Sequence, residues 1–435
     1  MRSQSKHQPP GPPGIPIIGN LHQLGKLRHQ SLWQFSKKYG PVMLIQLGRV
    51  PTLIVSSADA AKEVLKTHDL NTCSRPLLAG TGKLSYNYLD IAFTPYGDYW
   101  REMRKICVLE LFSAKRVQSF QFVREEEVDL LINSISNFSS SATPVDLSEK
   151  ILSLTANITC RAAFGKSFQE RGFSHERFQE IIHEGDDDHI QKRSKQHRQE
   201  DFIDVLLEMG RFQTESAAIQ LSQDHIKAIL MNIFLAGVDT GAITMVWAMA
   251  ELARHPRVMR KAQEEIRSCI GNKRTVSEND IDKLVYLKMV VKETMRLHPP
   301  STLLVPRETM SKFSINGYEI QPKTRIQVNV WAIGRDPKIW RNPEEFFPER
   351  FIDNPIDFRG QHYELLPFGG GRRGCPGISM GIVTVELALA NLLFCFDWKL
   401  PYNMKEEDLN MEEAAGLTTY KKEALMLVPI KHQPA

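Results

Sequence analysis

The sequence predicts a mainly α-helical protein with a minor β-region. Several long segments carry apolar residues at helical spacing, and the longest of them, residues 224–253, is apolar nearly all round at its centre. Two short runs of strand-forming residues, 42–48 and 52–55, flank a turn near the amino terminus. The length of 435 residues and the 42% hydrophobic fraction are typical of a globular chain with a large core.

Composition excludes several classes of protein. A net charge of +4 is small for this length and does not indicate nucleic-acid binding. The six cysteines are scattered without a C-x-x-C pair, which argues against zinc modules and a disulfide framework and favours a reducing compartment. The longest apolar stretch, 378–396, contains Ser379, Glu386 and Asn391, so we expect a buried core helix rather than a membrane span.

The first part of the chain predicts the following order. Residues 1–8 are a basic polar flank, residues 9–20 are a stiff proline-rich hinge, and residues 21–435 are expected to form a single domain. The further expectations are an amphipathic helix over 57–68 capped by Ser57, a long irregular loop over 77–98, a helical pattern from Trp100 to Lys105, and helices over 117–138 and 147–164.

The second part is predicted to be helical and then to contain short strands. Helix 224–253 ends at His255-Pro256, and helices over 258–270 and 282–297 follow. Residues 301–307 predict an extended strand, and 313–320 with 324–330 predict a short hairpin with turns at Asn316-Gly317 and Pro322.

One glycine-rich stretch near the end carries the most specific chemistry. Its spacing is Phe368-x-x-Gly371-x-Arg373-x-Cys375-x-Gly377, followed by the apolar segment 378–396. The glycines allow close approach of the backbone to a flat group, and a helix beginning after Cys375 would favour its thiolate. A thiolate in that position indicates a metal or cofactor ligand; the alternative is a structural cysteine on a glycine-rich turn.

This spacing resembles the haem-thiolate signature of the cytochrome P450 family. The resemblance implies the cytochrome P450 fold and a haem b held by Cys375 as axial thiolate, with Phe368, Arg373 and Gly377 around it. Residues 72–76 (Thr-Cys-Ser-Arg-Pro) and 236–240 (Ala-Gly-Val-Asp-Thr) resemble plant microsomal A-type members most closely.

The resemblance also assigns roles to residues elsewhere. Thr240 and Asp239 would hold a water and deliver protons; from the residues alone, Thr240 is expected to bond to the Ala236 carbonyl in its own helix. The family's haem propionates would be bound by Trp100, Arg104 and Arg307. A structural ion network would join Glu293, Arg296 and Arg350. The substrate pocket would be lined by Phe234, Ala236, Leu303, Leu304, Val305 and Leu417.

The function that the resemblance implies is monooxygenation. One oxygen atom from O2 would enter a hydrophobic small molecule, such as a terpenoid or aromatic compound of plant specialised metabolism. Electrons would come from NADPH through cytochrome P450 reductase, because the chain has no dinucleotide-binding fingerprint of its own. A basic face with Arg104, Lys105, Arg372 and Arg373 would dock the reductase. The family's place is the cytosolic face of the endoplasmic reticulum membrane; association with the membrane surface is expected, although the chain shows the flank and hinge without an anchor.

The chain departs from the family near Gly185 and Asp186. Relatives have several tens more residues there, which form two helices and a loop over the substrate pocket, so we expect a shortened roof. Two alternatives follow. One is a truncated, inactive haem-binding product. The other is a haem-thiolate isomerase or dehydratase that needs no reductase; the intact Asp239-Thr240 pair argues against it.

Overall fold

The computed structural model describes residues 8–167, 200–212 and 219–433. The shortened region expected near Gly185 and Asp186 lies outside these residues. The chain divides into two compact units. The first contains the chain up to Pro76, Lys288–Ile378 and Asn410–Glu423, and the second contains Leu77–Leu287, Ser379–Leu409 and the chain from Ala424.

The described residues are mainly helical, as the sequence predicts. The helices are α1 Arg28–Tyr39, α2 Ala58–Lys62, α3 Asp69–Thr72, α4 Ala79–Leu84, α5 Asp98–Ile106, α6 Ala114–Ser119, α7 Gln121–Ser139, α8 Leu147–Phe164, α9 Phe202–Phe212, α10 Gln223–Arg254, α11 Pro256–Ile270, α12 Val285–Leu297, α13 Val330–Ile333 and α14 Ile378–Cys395. The strands are β1 Val42–Leu47, β2 Val50–Val55, β3 Val145–Asp146, β4 Arg307–Glu308, β5 Phe313–Ile315, β6 Tyr318–Ile320, β7 Arg325–Val328, β8 Phe396–Lys399, β9 Glu413–Ala414, β10 Tyr420–Lys421 and β11 Met426–Lys431.

The strands form four small sheets. In the first unit, β1-β2-β7-β4 is a mixed sheet, in which β2 pairs antiparallel with β1 and parallel with β7. The hairpins β5-β6 and β9-β10 belong to the same unit. In the second unit, β11 pairs with both β3 and β8.

Several predicted elements are confirmed almost to the residue. Helix α8 begins after Asp146, whose side chain accepts the Glu149 N–H, and it ends at Gly165 in a left-handed conformation. Helix α2 begins at the predicted cap Ser57 and continues as a π-helical turn over Glu63–Thr67. Helix α10 ends at His255, and Pro256 starts the next helix.

Other predictions were wrong in part. The loop predicted over 77–98 contains helix α4, and the helix predicted over 117–138 is divided at Phe120 into α6 and α7. The strand predicted over 301–307 is reduced to β4, because the chain turns and Leu304 adopts a positive φ of 50°. A β-strand cannot include that conformation.

The predicted hairpin is half right. Asn316 and Gly317 both have positive φ and join β5 to β6, as an Asn-Gly turn should. The segment predicted to return to them, β7, instead pairs with β2 and β4 in the larger sheet.

Each unit has its own apolar core. In the first, residues of the larger sheet pack with α2 and with two residues close to Cys375 in sequence, Tyr363 and Leu366. In the second, α8, α9 and α10 pack with the segment around Met103 and Cys107. Within the described residues, two helices, α10 and α14, are long and apolar enough by composition to cross a membrane, but more than half of the most apolar 18-residue window of each is buried. The prediction of a buried core helix at 378–396 is thereby confirmed.

Candidate functional site

The cysteine loop, residues 366–377, belongs to the first unit and is held by its own backbone. The Cys375 N–H donates to the Phe368 carbonyl at 2.9 Å, and the Gly374 N–H donates to the Gly371 carbonyl at 3.0 Å. Gly371 has a φ of 65°, and a Cβ there would lie 2.3 Å from the Leu65 carbonyl oxygen. Only glycine fits this close approach.

Cys375 is exposed, whereas Cys73, Cys107 and Cys160 are buried. Free cysteines are ordinarily among the most buried residues, so an exposed cysteine between glycines is suited to bind a partner group. Helix α14 begins three residues later at Ile378, and not at Pro376, where the sequence allowed it to begin.

Asp69 contacts the cysteine loop and was missed by the sequence analysis. Its buried carboxylate accepts hydrogen bonds from Arg307 Nη1 at 2.7 Å, from the Arg372 N–H at 3.0 Å and from Arg372 Nη1 at 3.0 Å. Arg307 Nη2 also donates to the Gly370 carbonyl at 2.8 Å. Both terminal nitrogens of Arg307, predicted to bind a propionate, are therefore engaged by the chain itself. Its propionate role stays a prediction.

Arg373 is buried and donates from Nε to the Cys73 carbonyl at 2.7 Å. A buried arginine cannot belong to an exposed basic face, so that part of the predicted docking surface is wrong. Arg372 is half-exposed and Lys105 is exposed, which leaves these two side chains accessible.

The segment 301–306 lies beside the cysteine loop. A Cβ on Gly369 would be 3.7 Å from Leu304 Cδ1. Arg75 Nη1 donates to the carbonyls of Val305 and Pro306 at 2.6 and 2.9 Å, which fixes this segment. Leu303 packs instead against a separate core cluster of α1, β1 and β2.

The loop that carries Leu417 is tied to the same segment. The Thr419 N–H donates to the Pro300 carbonyl at 2.9 Å, and Leu417 is 80% exposed.

Glu413, just before this loop, accepts hydrogen bonds from His29 Nε2 at 2.7 Å and from Trp331 Nε1 at 2.9 Å. Burial alone would raise the pKa of Glu413, but the His29 bond and nearby positive charges lower it to about 2.

The predicted ion network is present and buried. Glu293 Oε1 accepts hydrogen bonds from Arg296 Nη2, Arg350 Nε and the Phe347 N–H, each at 2.8 Å, and Oε2 accepts one from Arg296 Nε at 2.8 Å. Glu293 and Arg296 are 0% and 1% exposed. Such a pair is retained only when its remaining donors and acceptors are also satisfied. Arg296 meets that condition by donating to the Gly334 carbonyl as well.

In the second unit, the middle of helix α10 is exposed although the segments on either side of it are buried. Residues 226–233 and 242–253 are buried, whereas Ala236 and Asp239 are exposed and Phe234 and Thr240 are partly exposed. An apolar, otherwise buried helix whose central turn is exposed is suited to line a binding site. The four predicted residues on this helix therefore lie in one open stretch.

The open stretch has the local geometry that the sequence predicted. Thr240 Oγ1 donates to the Ala236 carbonyl at 2.6 Å. A Cβ on Gly237 would lie 2.9 Å from Thr159 Oγ1 of α8, which explains the glycine by close helix packing. Although Asp239 is exposed, the surrounding protein partly desolvates its carboxylate, which raises its pKa towards the range useful for proton transfer.

Trp100 and Arg104 share helix α5, as predicted. Trp100 is buried and its Nε1–H donates to the Ile91 carbonyl at 2.9 Å, so its propionate role stays a prediction. The loop before α5, which contains Ile91, is also held to α10, because Asn232 Oδ1 accepts hydrogen bonds from the N–H groups of Ile91 and Ala92 at 3.3 and 3.0 Å. Sequence reasoning missed Asn232.

The cysteine loop fits a haem-thiolate site. Cys375 is exposed and provides a sulfur ligand, while the neighbouring glycine backbone and the half-buried Phe368 provide a flat surface beside it. A soft thiolate ligand suits an iron centre.

Comparisons with known proteins agree with this chemistry. The sequence profile of the family described as "Cytochrome P450" matches residues 9–187 and 173–428. The Arabidopsis thaliana protein "Cytochrome P450 71B34" is 54% identical over 472 aligned positions, which cover 99% of this chain and 94% of that protein. "Cytochrome P450 71B36" from the same plant is 52% identical, covering 99% and 95%.

A solved structure agrees on the fold. A zebra fish cytochrome P450, in a structure with abiraterone, superposes with a TM-score of 0.83 at 26% identity, and the match covers 94% of this chain and 100% of that one. The family profile and the plant relatives each span nearly the whole chain. The chain therefore belongs to the cytochrome P450 family, whose members are monooxygenases that hold haem iron through a cysteine thiolate.

Proposed function

We propose that this monooxygenase inserts one oxygen atom of O2 into a hydrophobic small molecule of plant specialised metabolism, such as a terpenoid or an aromatic compound. Electrons come from NADPH through cytochrome P450 reductase. The observation that carries the proposal is the exposed Cys375 in a glycine loop closed by the Cys375–Phe368 backbone bond. The similarity to 71B proteins of a plant supports the metabolic class.

The bound haem supplies the redox chemistry, and the chain supplies its ligand and surroundings. Cys375 is the proposed iron ligand, and Phe368, Arg373 and Gly377 surround it. Arg373 acts by holding the loop, since its Nε is bonded to the Cys73 carbonyl. Trp100, Arg104 and Arg307 are proposed to contact the propionates. For Trp100 this requires exchange of the bond to Ile91. Arg307 has five N–H groups, so it can keep its bonds to Asp69 and Gly370 while another N–H contacts a propionate.

Thr240 and Asp239 are proposed to handle protons. The Thr240 hydroxyl keeps acceptor capacity while it donates to Ala236, so it can receive a hydrogen bond from a water in the open stretch of α10. Asp239 lies one residue away, exposed and with a raised pKa, and can pass a proton to that water.

The substrate is proposed to be apolar because the residues assigned to it are apolar. Phe234 and Ala236 lie on the open stretch of α10, and Leu304, Val305 and Leu417 lie on the fastened segments of the first unit. Leu303, which packs into a core cluster, is the weakest member of the predicted set. Apolar pockets with few polar groups select substrates by size and apolar contact.

Docking and location are proposed from the family. Lys105 of the second unit and Arg372 of the first unit are accessible, and each is proposed to contact the reductase. The expected place of action is the cytosolic face of the endoplasmic reticulum membrane.

We also propose that the sequence is shortened near Gly185 and Asp186 relative to other members of the family. Two findings support this: the family profile matches in two segments that overlap at 173–187, and the 71B34 alignment needs 472 positions for a chain of 435 residues. The same findings favour a second candidate, a haem-binding product without turnover. A reductase-independent isomerase gains no support from them.

The test is coupling of NADPH use to product formation in a reconstituted system with reductase. Thr240→Ala should keep NADPH oxidation but lose most product, roughly tenfold, because proton delivery is misdirected. Thr244→Ala is the matched control, since Thr244 is a buried threonine that bonds to the Thr240 carbonyl in the same helix. Tight coupling in Thr240→Ala contradicts the role of Thr240. Absence of NADPH-dependent turnover in the wild type, with haem bound, favours the inactive product.

A further inference from the structure

Asp69 is a buried acidic residue that contacts the cysteine loop. It is 3% exposed and lies at the start of the one-turn helix α3. Its two carboxylate oxygens accept three hydrogen bonds, one from Arg307 and two from Arg372. A buried carboxylate is retained only when it is paired and bonded in this way.

The two partners make Asp69 part of a clamp on one short stretch of the loop. Arg307 is held by Asp69 and donates to the carbonyl of Gly370, while Asp69 itself accepts the backbone N–H of Arg372. Both bonds reach the backbone of residues 370–372. Leaving a backbone N–H or C=O group unpaired away from water costs free energy, so these two bonds hold the loop in its path.

Packing leaves little freedom between the clamp and the loop. A Cβ on Gly371 would lie 2.7 Å from Asp69 Oδ1, so the two segments are already in close contact. Helix α3 is fixed in turn, because Thr72 Oγ1 donates to the Val64 carbonyl at 2.7 Å and Cys73 accepts the bond from Arg373. The loop therefore rests on a rigid support.

We propose that Asp69 is a positioning residue for the thiolate ligand: by clamping Gly370–Arg372 it sets the path of the chain into Cys375 and stabilises the thiolate-ligated form of the bound haem. The inference rests on the proposed function, in which Cys375 ligates haem. It adds a residue that neither the motif nor the comparisons assign.

The test replaces the carboxylate by its isostere. In Asp69→Asn the amide can accept on one side only, and its NH2 group faces an N–H or guanidinium donor, so at least one bond is lost and the others are weakened. The measurement is the rate at which the ferrous carbon-monoxide spectrum changes from the thiolate type to the thiol or imidazole type in mild urea. Asp69→Asn should convert about tenfold faster than wild type.

Asp280→Asn is the matched control. Asp280 is 4% exposed, and it bonds to Lys273 and Ser277, which are not part of the loop. It should convert at the wild-type rate even though it lowers the urea midpoint for unfolding. Equal acceleration in the two variants would show general destabilisation and overturn the proposal, as would a wild-type rate in Asp69→Asn. If wild type itself shows no thiolate-type spectrum, the proposed function fails and the inference falls with it.

If Asp69→Asn yields no haem-loaded protein, a second pair of variants tests the positioning role of Asp69. Arg372→Ala removes the side-chain bond to Asp69 but keeps the backbone N–H that donates to it, and it should speed conversion about threefold. Arg359→Ala removes an exposed arginine that pairs with Asp357 and should have no effect. Equal rates in these two variants would overturn the proposal.

Discussion

The Glu293 network allows one stability prediction to be worked out closely. Arg350→Ala removes the bond from Arg350 Nε to Glu293 and three bonds to the carbonyls of residues 341, 342 and 345. The carbonyls lie at an exposed edge and can bind water, so they contribute little. Glu293 keeps Arg296 and the Phe347 N–H, so its charge is not stranded.

Arg350→Ala should therefore lower the free energy of unfolding by the contribution of one charge-assisted bond, about 2–3 kcal/mol. Arg296→Ala should cost more, about 3–5 kcal/mol or above, because it leaves buried carbonyls such as Gly334 unpaired. The assay is urea unfolding of the haem-loaded protein followed by far-ultraviolet circular dichroism. Arg359→Ala, an exposed arginine, should lie within about 0.5 kcal/mol of wild type. An Arg350→Ala midpoint equal to that control would refute this reasoning.

Two further predictions concern residues that fasten loops. Because the pKa of Glu413 is lowered from 4.5 to about 2, its ionised form stabilises the folded protein by about 3 kcal/mol above pH 4.5. This stabilisation should be lost as the pH falls towards about 2. Measuring the free energy of unfolding against pH should show the loss in wild type and not in Glu413→Gln. A parallel pH dependence in the two proteins would contradict it. Asn232→Ala removes the acceptor for Ile91 and Ala92, so amide hydrogen exchange of residues 88–94 should accelerate roughly tenfold. Unchanged exchange there would show that the loop is held by other contacts.

The sequence predicted elements well where the signals are local. Helix α8 is bounded by a side-chain cap at Asp146 and a left-handed glycine at 165, and both signals are readable within a few residues. The Thr240–Ala236 bond and the Glu293–Arg296 pair are likewise set by helical spacing of four and three residues.

The errors arise where distant contacts decide. The apolar residues 301–306 favour a strand, but Leu304 turns the chain and Arg75, some 230 residues earlier, takes the carbonyls of Val305 and Pro306. Strand β7 pairs with β2, which no local pattern indicates. Asp69 was missed for the same reason, since its partner Arg307 is 238 residues away and a lone aspartate carries no motif.

The central claim is that Cys375 ligates haem as a thiolate, and the ferrous carbon-monoxide spectrum of the expressed chain tests it most directly. Wild type should give a thiolate-type Soret band, and Cys375→Ala should lose it because no sulfur remains in the loop. Cys269→Ala, which removes the other exposed cysteine, should leave the band unchanged. A thiolate-type band that survives Cys375→Ala, or a haem-loaded wild type without one, would contradict the account.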